Sequence, residues 1–128
     1  MNINIAKKEI IHFIGIGGIG MSGLALIMKG QGFNVQGSDI NSNKNIDRLK
    51  KDKIKIYLSQ SKKHLKNATM TVVSSAIKKT NPEMVEAKRK KIPIIKRGAM
   101  LASIVSLMKN IVVVGSHGKT TTTSLITS

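Results

Sequence analysis

The chain has no cysteine, no tryptophan, two prolines, three aromatic residues and only six acidic residues among its 128 positions. Each shortage excludes something. Without cysteine there is no disulfide framework and no thiolate metal site, which suits a reducing, cytoplasmic setting. With Phe13, Phe33 and Tyr57 as the whole aromatic complement, there is no platform on which single-stranded nucleic acid would stack. No apolar run approaches the ~18 residues that span a bilayer, so no membrane partner is expected. The opening "MNINIAKKEIIHFIGIGGIGMSG" pairs a short basic stretch with an apolar run. Its glycines are spaced for a turn and no small-residue cleavage site follows, so it reads as a strand and loop, not a signal peptide.

What remains suits one globular domain: 128 residues, 41% of them apolar. The 22 basic residues outweigh the acids to give a net charge of +16. Nine of them fall in 40–66 and eight in 78–97. These stretches read as solvated helices and their connections, and no nucleic-acid partner is expected.

Strand-like and helix-like stretches alternate along the chain. Apolar, β-branched runs predict strands at 9–17, 33–39, 53–58, 70–76, 92–97 and 110–116. Helical spacing predicts helices at 19–32, 42–52, 80–91 and 99–108, with a short helix or turn at 59–68. The helix at 80–91 carries the clearest end signals. Thr80 or Asn81 can cap it, Pro82 sits in its first turn, Glu83 and Glu86 lie near its positive end, and Lys88 to Lys91 near its negative end. The alternation implies parallel βαβ units: an α/β, Rossmann-like parallel sheet with flanking helices. Five strands complete a small sheet before Lys109, so the domains read as 1–108 and 109–128. The second begins with a strand, phosphate loop and helix.

Two glycine loops carry the chemistry. "GIGGIG" places Gly15, Gly17 and Gly20 in the G-x-G-x-x-G pattern, after a strand and at the start of a helix. Gly15 permits the tight turn, Gly17 lets the backbone approach a diphosphate, and Gly20 allows helix to pack closely on strand. The helix start offers free N–H groups and positive potential to phosphate. Asp39 ends the second predicted strand, where an acid can meet a ribose hydroxyl. The pattern does not separate a dinucleotide from a nucleotide sugar. The second loop, "GSHGKTT" at 115–121, is a shortened phosphate loop, G-x-x-G-K-T. The usual longer form needs glycine at position 113, which is Val113 here. Its backbone N–H groups would wrap phosphates, Lys119 would reach the β and γ oxygens, and the Thr120 hydroxyl would ligate Mg²⁺. His117 reads as a loop-packing residue.

Together the stretches "HFIGIGGIGMSGLA", "GSDI", "VVSSAIKKTNPE", "IPIIKRGAML" and "GSHGKTTTTSL" resemble the amino-terminal part of the Mur ligases, the cytoplasmic ATP-dependent amide ligases of peptidoglycan synthesis. Within the family they look most like the branch that joins L-alanine to UDP-N-acetylmuramate. The likeness runs over nearly the whole chain. Ser116 stands where the family often has threonine, and Gly98 where alanine is frequent. Family members have three domains, and this sequence holds the first and the opening element of the second.

The resemblance implies the chemistry. ATP phosphorylates the lactyl carboxylate of UDP-N-acetylmuramate, and the amine of L-alanine displaces phosphate from the acyl phosphate. It implies that Gly17, Gly18, Ile19, Gly20, Met21 and Ser22, with Gly15 at the turn, hold the UDP diphosphate. Ser38 and Asp39 would lie near the uridine, and Ser74, Ser75 and Ala76 near the sugar. Ser74 and Ser75 read equally as a capped turn. Arg97 would contact the anionic ligand, or else form a surface salt bridge. Gly115, Ser116, His117, Gly118, Lys119, Thr120 and Thr121 would bind ATP, with Lys119 and Thr120 catalytic and Thr120 on Mg²⁺. The adenine pocket, the acidic Mg²⁺ ligand and the amino-acid site would lie beyond Ser128, so the 128 residues alone are expected to bind the UDP-sugar without turning over ATP. A competing reading, an NAD(P)-binding oxidoreductase domain, accounts for "GIGGIG" and Asp39 but leaves "GSHGKTT" unexplained.

Overall fold

The computed structural model describes residues 5–115, with side chains through residue 109. Five strands form one parallel sheet: β1 (Ile10–Ile14), β2 (Asn34–Ser38), β3 (Lys55–Tyr57), β4 (Met70–Val73) and β5 (Ile94–Lys96), in the order β3-β2-β1-β4-β5. The helices are α1 (Ile19–Gly30), α2 (Lys44–Lys51), α3 (Pro82–Arg89) and α4 (Arg97–Gly115), with a 3-10 turn at Lys62–Leu65. β1 pairs with β2 from Ile10↔Asn34 to Ile14↔Ser38, and with β4 from Ile11↔Met70 to Ile14↔Val73.

Alternation along the strands sorts side chains onto two faces. Ile11, Phe13, Val35 and Val72 face α1, α2 and α4 and form one core with Leu24, Met28, Ile46, Leu49, Met100 and Ile104. Ile14 and Val73 face the opposite way, onto Met84 of α3. Leu65 of the 3-10 turn joins Ala87 of α3 beside them. α2 is mostly charged and attaches through Ile46 and Leu49, both fully buried. Burying each contributes roughly 1.5–3 kcal/mol, well above the few tenths from a surface charge pair, so apolar burial docks this helix. In α3, the Asn81 side chain accepts the Glu83 amide at 2.8 Å and Pro82 occupies the first turn. Asn81, not Thr80, is therefore the cap.

One predicted element is replaced. Residues 110–115, expected to be a sixth strand, continue α4 to Gly115. Val and Ile favour a strand only when a partner strand takes up their backbone groups. Among the described residues no strand pairs with this stretch, and helical continuation satisfies the backbone within the segment itself.

The strand order reverses at β1. The crossover from β1 to β2 runs through α1 on one face, and that from β4 to β5 runs through α3 on the other. A crevice therefore opens beyond the carboxyl ends of β1 and β4, the usual ligand position in such a sheet.

Candidate functional site

The glycine loop leaves β1 at this crevice. Gly15 has φ +80°, a conformation that L side chains rarely adopt, and Ile77 from the β4–α3 connection packs beside it. The Gly15 and Ile16 amides both donate to the Ser38 carbonyl at 2.9 Å. The Gly17 amide donates to Asp39 Oδ2 at 2.8 Å, and a Cβ on Gly17 would stand 2.7 Å from that same oxygen. Gly17 is thus glycine because a carboxylate lies where its side chain would be. The Gly17 carbonyl accepts from Asn45 Nδ2 at 3.0 Å, a contact that the sequence pattern did not signal.

These bonds redistribute the expected roles. The amides of residues 15–17 are committed inside the protein. Ser22 N–H donates to the Gly18 carbonyl, and the Ser22 hydroxyl to the Ile19 carbonyl. The Met21 and Ser22 side chains are buried. No side chain caps α1 at Gly18, and its first turn holds no acidic residue. The donors left to meet an anion are the first-turn amides of Ile19, Gly20 and Met21.

Arg97, the first residue of α4, lies across this turn. Its Cδ, Nε and Cζ come within 3.0–3.2 Å of the place a Gly20 Cβ would occupy. Gly20 was expected to make room for helix on strand, and it makes room instead for a guanidinium. A cation and the positive end of a helix therefore meet at one point, the arrangement that takes a diphosphate. Ser74, Ser75 and Ala76 follow β4 at the neighbouring strand end. Ser75 and Ala76 are exposed and Ser74 is half-buried.

Asp39 is half-exposed and uses Oδ2 on Gly17 and Oδ1 on the Asn41 amide at 3.1 Å. Its visible work is to hold the loop. Ser38 departs further from expectation. Its hydroxyl is fully buried and donates to Glu83 Oε1 at 2.6 Å, so it faces the interior and not a uridine.

That contact opens onto a buried polar cluster that sequence reading missed. Glu83 Oε1 also meets His12 Nε2 at 2.7 Å, while Oε2 meets His64 Nδ1 at 2.6 Å and the Ser61 amide at 3.2 Å. Gln36 Nε2 lies 3.0 Å from His12 Nδ1 and donates to the His64 carbonyl at 2.9 Å. The network therefore assigns Nδ1 of His12 as acceptor and Nε2–H as donor. Tyr57 stacks on His64 with ring centroids 4.0 Å apart. Burial alone would push the Glu83 carboxyl up. The hydrogen bonds from His12, Ser38 and His64, with the electrostatic pull of His12, outweigh burial and hold it below its ordinary value. The sequence showed Glu83 only as a first-turn acid, and nothing local linked it to two histidines 71 and 19 residues away.

Gly115 closes α4. Ser116, His117, Gly118, Lys119, Thr120 and Thr121 lie outside the described residues. Among the described residues no cluster of histidine and acidic side chains suits a metal ion, and no helix is long and apolar enough to cross a membrane.

Comparison with known proteins places these features in a family. Residues 10–109 match the model of the Mur ligase family, catalytic domain. The UDP-N-acetylmuramate–L-alanine ligase of Pelagibacter ubique is 72% identical over 128 residues, all of this chain and 28% of the relative. That of Rickettsia prowazekii is 56% identical over 116 residues, 91% of this chain and 23% of the relative. Among solved structures, the UDP-N-acetylmuramate-alanine ligase of Thermotoga maritima superposes with a TM-score of 0.69 at 34% identity, covering 79% of this chain and 23% of that one. The chain thus spans about a quarter of the length of the relatives it matches. With the glycine loop, the five-stranded parallel sheet and the family match in agreement, the chain belongs to the Mur ligase family.

Proposed function

We propose that the chain is the nucleotide-sugar-binding part of a UDP-N-acetylmuramate–L-alanine ligase, which joins L-alanine to UDP-N-acetylmuramate at the expense of ATP. In this reading residues 1–108 form the UDP-sugar domain and residues 109–128 begin the ATP-binding domain. The observation that carries it is Arg97 lying against Gly20 at the uncapped start of α1. The sugar-nucleotide diphosphate would sit there, on the amides of Ile19, Gly20 and Met21 and the Arg97 guanidinium. Exposed Ile19, at the start of α1, and Ile40, two residues past the end of β2, offer apolar surface to the base. Ser75 and Ala76, with half-buried Ser74, would face the sugar from the β4 side.

Gly115, Ser116, His117, Gly118, Lys119, Thr120 and Thr121 would hold ATP, with Thr120 on Mg²⁺. This assignment rests on the sequence pattern alone. ATP would supply the phosphoryl group that activates the sugar's carboxylate. The relatives' names support the choice of substrate. Calorimetric titration with UDP-N-acetylmuramate and with NADH tests it. Saturable binding of the sugar nucleotide and none of NADH is expected. The reverse pattern would overturn the reading in favour of a dinucleotide-binding domain.

A further inference from the structure

We propose that Glu83 is a positioning residue for the glycine loop, holding the loop's shape through Ser38 from the opposite face of the sheet. The inference rests on the reading of that loop as the diphosphate site, but its central test needs no ligand.

The connection is continuous and short. Glu83 Oε1 accepts the Ser38 hydroxyl at 2.6 Å and contacts His12 Nε2 at 2.7 Å, and both partners are fully buried. The Ser38 carbonyl accepts the amides of Gly15 and Ile16, each at 2.9 Å. Asp39, the next residue, takes the Gly17 amide. Three successive loop amides therefore hang on the last residue of β2 and the residue that follows it, and the first of these two is anchored by Glu83. His12 lies in the middle of β1, three positions before Gly15, so the same carboxylate oxygen ties the strand that leads into the loop to the end of β2.

Glu83 also belongs to the other wall of the crevice. It sits in the first turn of α3, directly after the β4–α3 connection that carries Ser74, Ser75 and Ala76. From that connection Ile77 packs against Gly15. One side chain thus fixes the glycine loop relative to the loop that faces it. This accounts for a feature that stability alone does not. A buried charge with its partners is often no more stabilising than well-packed apolar groups, whereas hydrogen bonds from four directions define a position closely. Glu83 receives His12, Ser38, His64 and the Ser61 amide.

Amide hydrogen exchange read residue by residue tests this in the unliganded protein. In Ser38→Ala, which leaves Glu83 three of its donors, the Gly15 and Ile16 amides are expected to exchange at least tenfold faster while Val72 in central strand β4 keeps its protection. Ser38→Thr, which retains the hydroxyl, should restore the slow rate. Glu83→Gln, which also lowers global stability, should speed exchange at Gly15 and Ile16 more than at Val72, and where it fails to fold the serine pair decides alone. Unchanged exchange at Gly15 and Ile16 in Ser38→Ala would overturn the proposal. So would uniform acceleration across the sheet, which marks a general loss of stability. Titration with UDP-N-acetylmuramate forms a second arm. A wild-type chain that does not bind it sinks the substrate reading and leaves the exchange result standing. A wild-type chain that binds it as tightly as Ser38→Ala and Glu83→Gln do sinks the positioning role.

Discussion

Asp39 Oδ2 lies 2.8 Å from the Gly17 amide nitrogen, in the space that any side chain at position 17 would need. The acid and the glycine are therefore one device: the carboxylate closes the loop because position 17 has no Cβ. A hydrogen bond to a charged acceptor contributes roughly 1.5–3 kcal/mol when well shielded and less at a half-exposed site. Asp39→Ala is expected to destabilise the fold by about 1–2 kcal/mol and to weaken UDP-N-acetylmuramate binding. Asp39→Asn keeps an acceptor and should retain most of both. Urea unfolding with parallel calorimetry checks this. An acid that only read a ribose hydroxyl would leave the unfolding midpoint unmoved.

Gly37 stands on β2 beneath the same loop. A Cβ there would come within 2.4–2.9 Å of three Ile16 side-chain atoms, Cβ among them, so rotating the end of Ile16 does not relieve the clash. Gly37→Ala should cost about 1–3 kcal/mol, the range for overpacking a filled interior. Gly23 and Gly98 meet nothing within 4 Å, and alanine at either should be tolerated. Thermal unfolding of the three variants decides the ranking.

Arg97 carries the anion contact in the proposed site. Arg97→Ala should lower UDP-N-acetylmuramate affinity about 10–100-fold, as expected for a charge-assisted hydrogen bond to phosphate. Arg97→Lys should recover only part, because an ammonium cannot make the planar, two-pronged contact of a guanidinium. Titration calorimetry measures both. Equal affinity for wild type and Arg97→Ala would place the diphosphate elsewhere.

Glu83 makes stability depend on pH in a stated direction. Its carboxyl is held below the ordinary value of 4.5 in the folded protein. The folded state then binds the proton less readily than the unfolded state. The stability this adds is complete above the unfolded value and is lost as pH falls through the folded one. Glu83→Gln, which cannot titrate, should be less stable than wild type at pH 7. The difference should shrink below pH 4.5. Urea midpoints followed from pH 7 to pH 3 test it, and a gap that stays constant would contradict it.

Lys91 adopts φ +58° just past the end of α3, where Ile92 N–H bonds back to the Ala87 carbonyl at 2.9 Å. This left-handed helix end suits glycine. Lys91→Gly is expected to stabilise the fold by about 0.5–1 kcal/mol and to raise the melting midpoint by a few degrees.

Local patterns made much of the fold legible. Period-2 and period-3.6 spacing recovered five strands and four helices in order, and Asn81-Pro82 marked the start of α3. The G-x-G-x-x-G spacing located the loop, because a tight turn with φ +80° at Gly15 is a demand that sequence displays directly. The strand expected at 110–116, which the structure describes to Gly115 as a continuation of α4, failed for a physical reason. A strand is completed by a neighbour, and spacing within one segment carries no information about whether that neighbour exists.

Sequence by itself determined the α/β class, the position of the glycine loop and the family, since each depends on residue type at short range. Tertiary structure alone decided how the loop is held. It set Arg97 in the space left by Gly20, gave the Gly17 amide to Asp39, and buried Ser38 against Glu83 with His12 and His64 around it. These partners come from separate strands and helices. Only the sheet order β3-β2-β1-β4-β5 brings them to one edge.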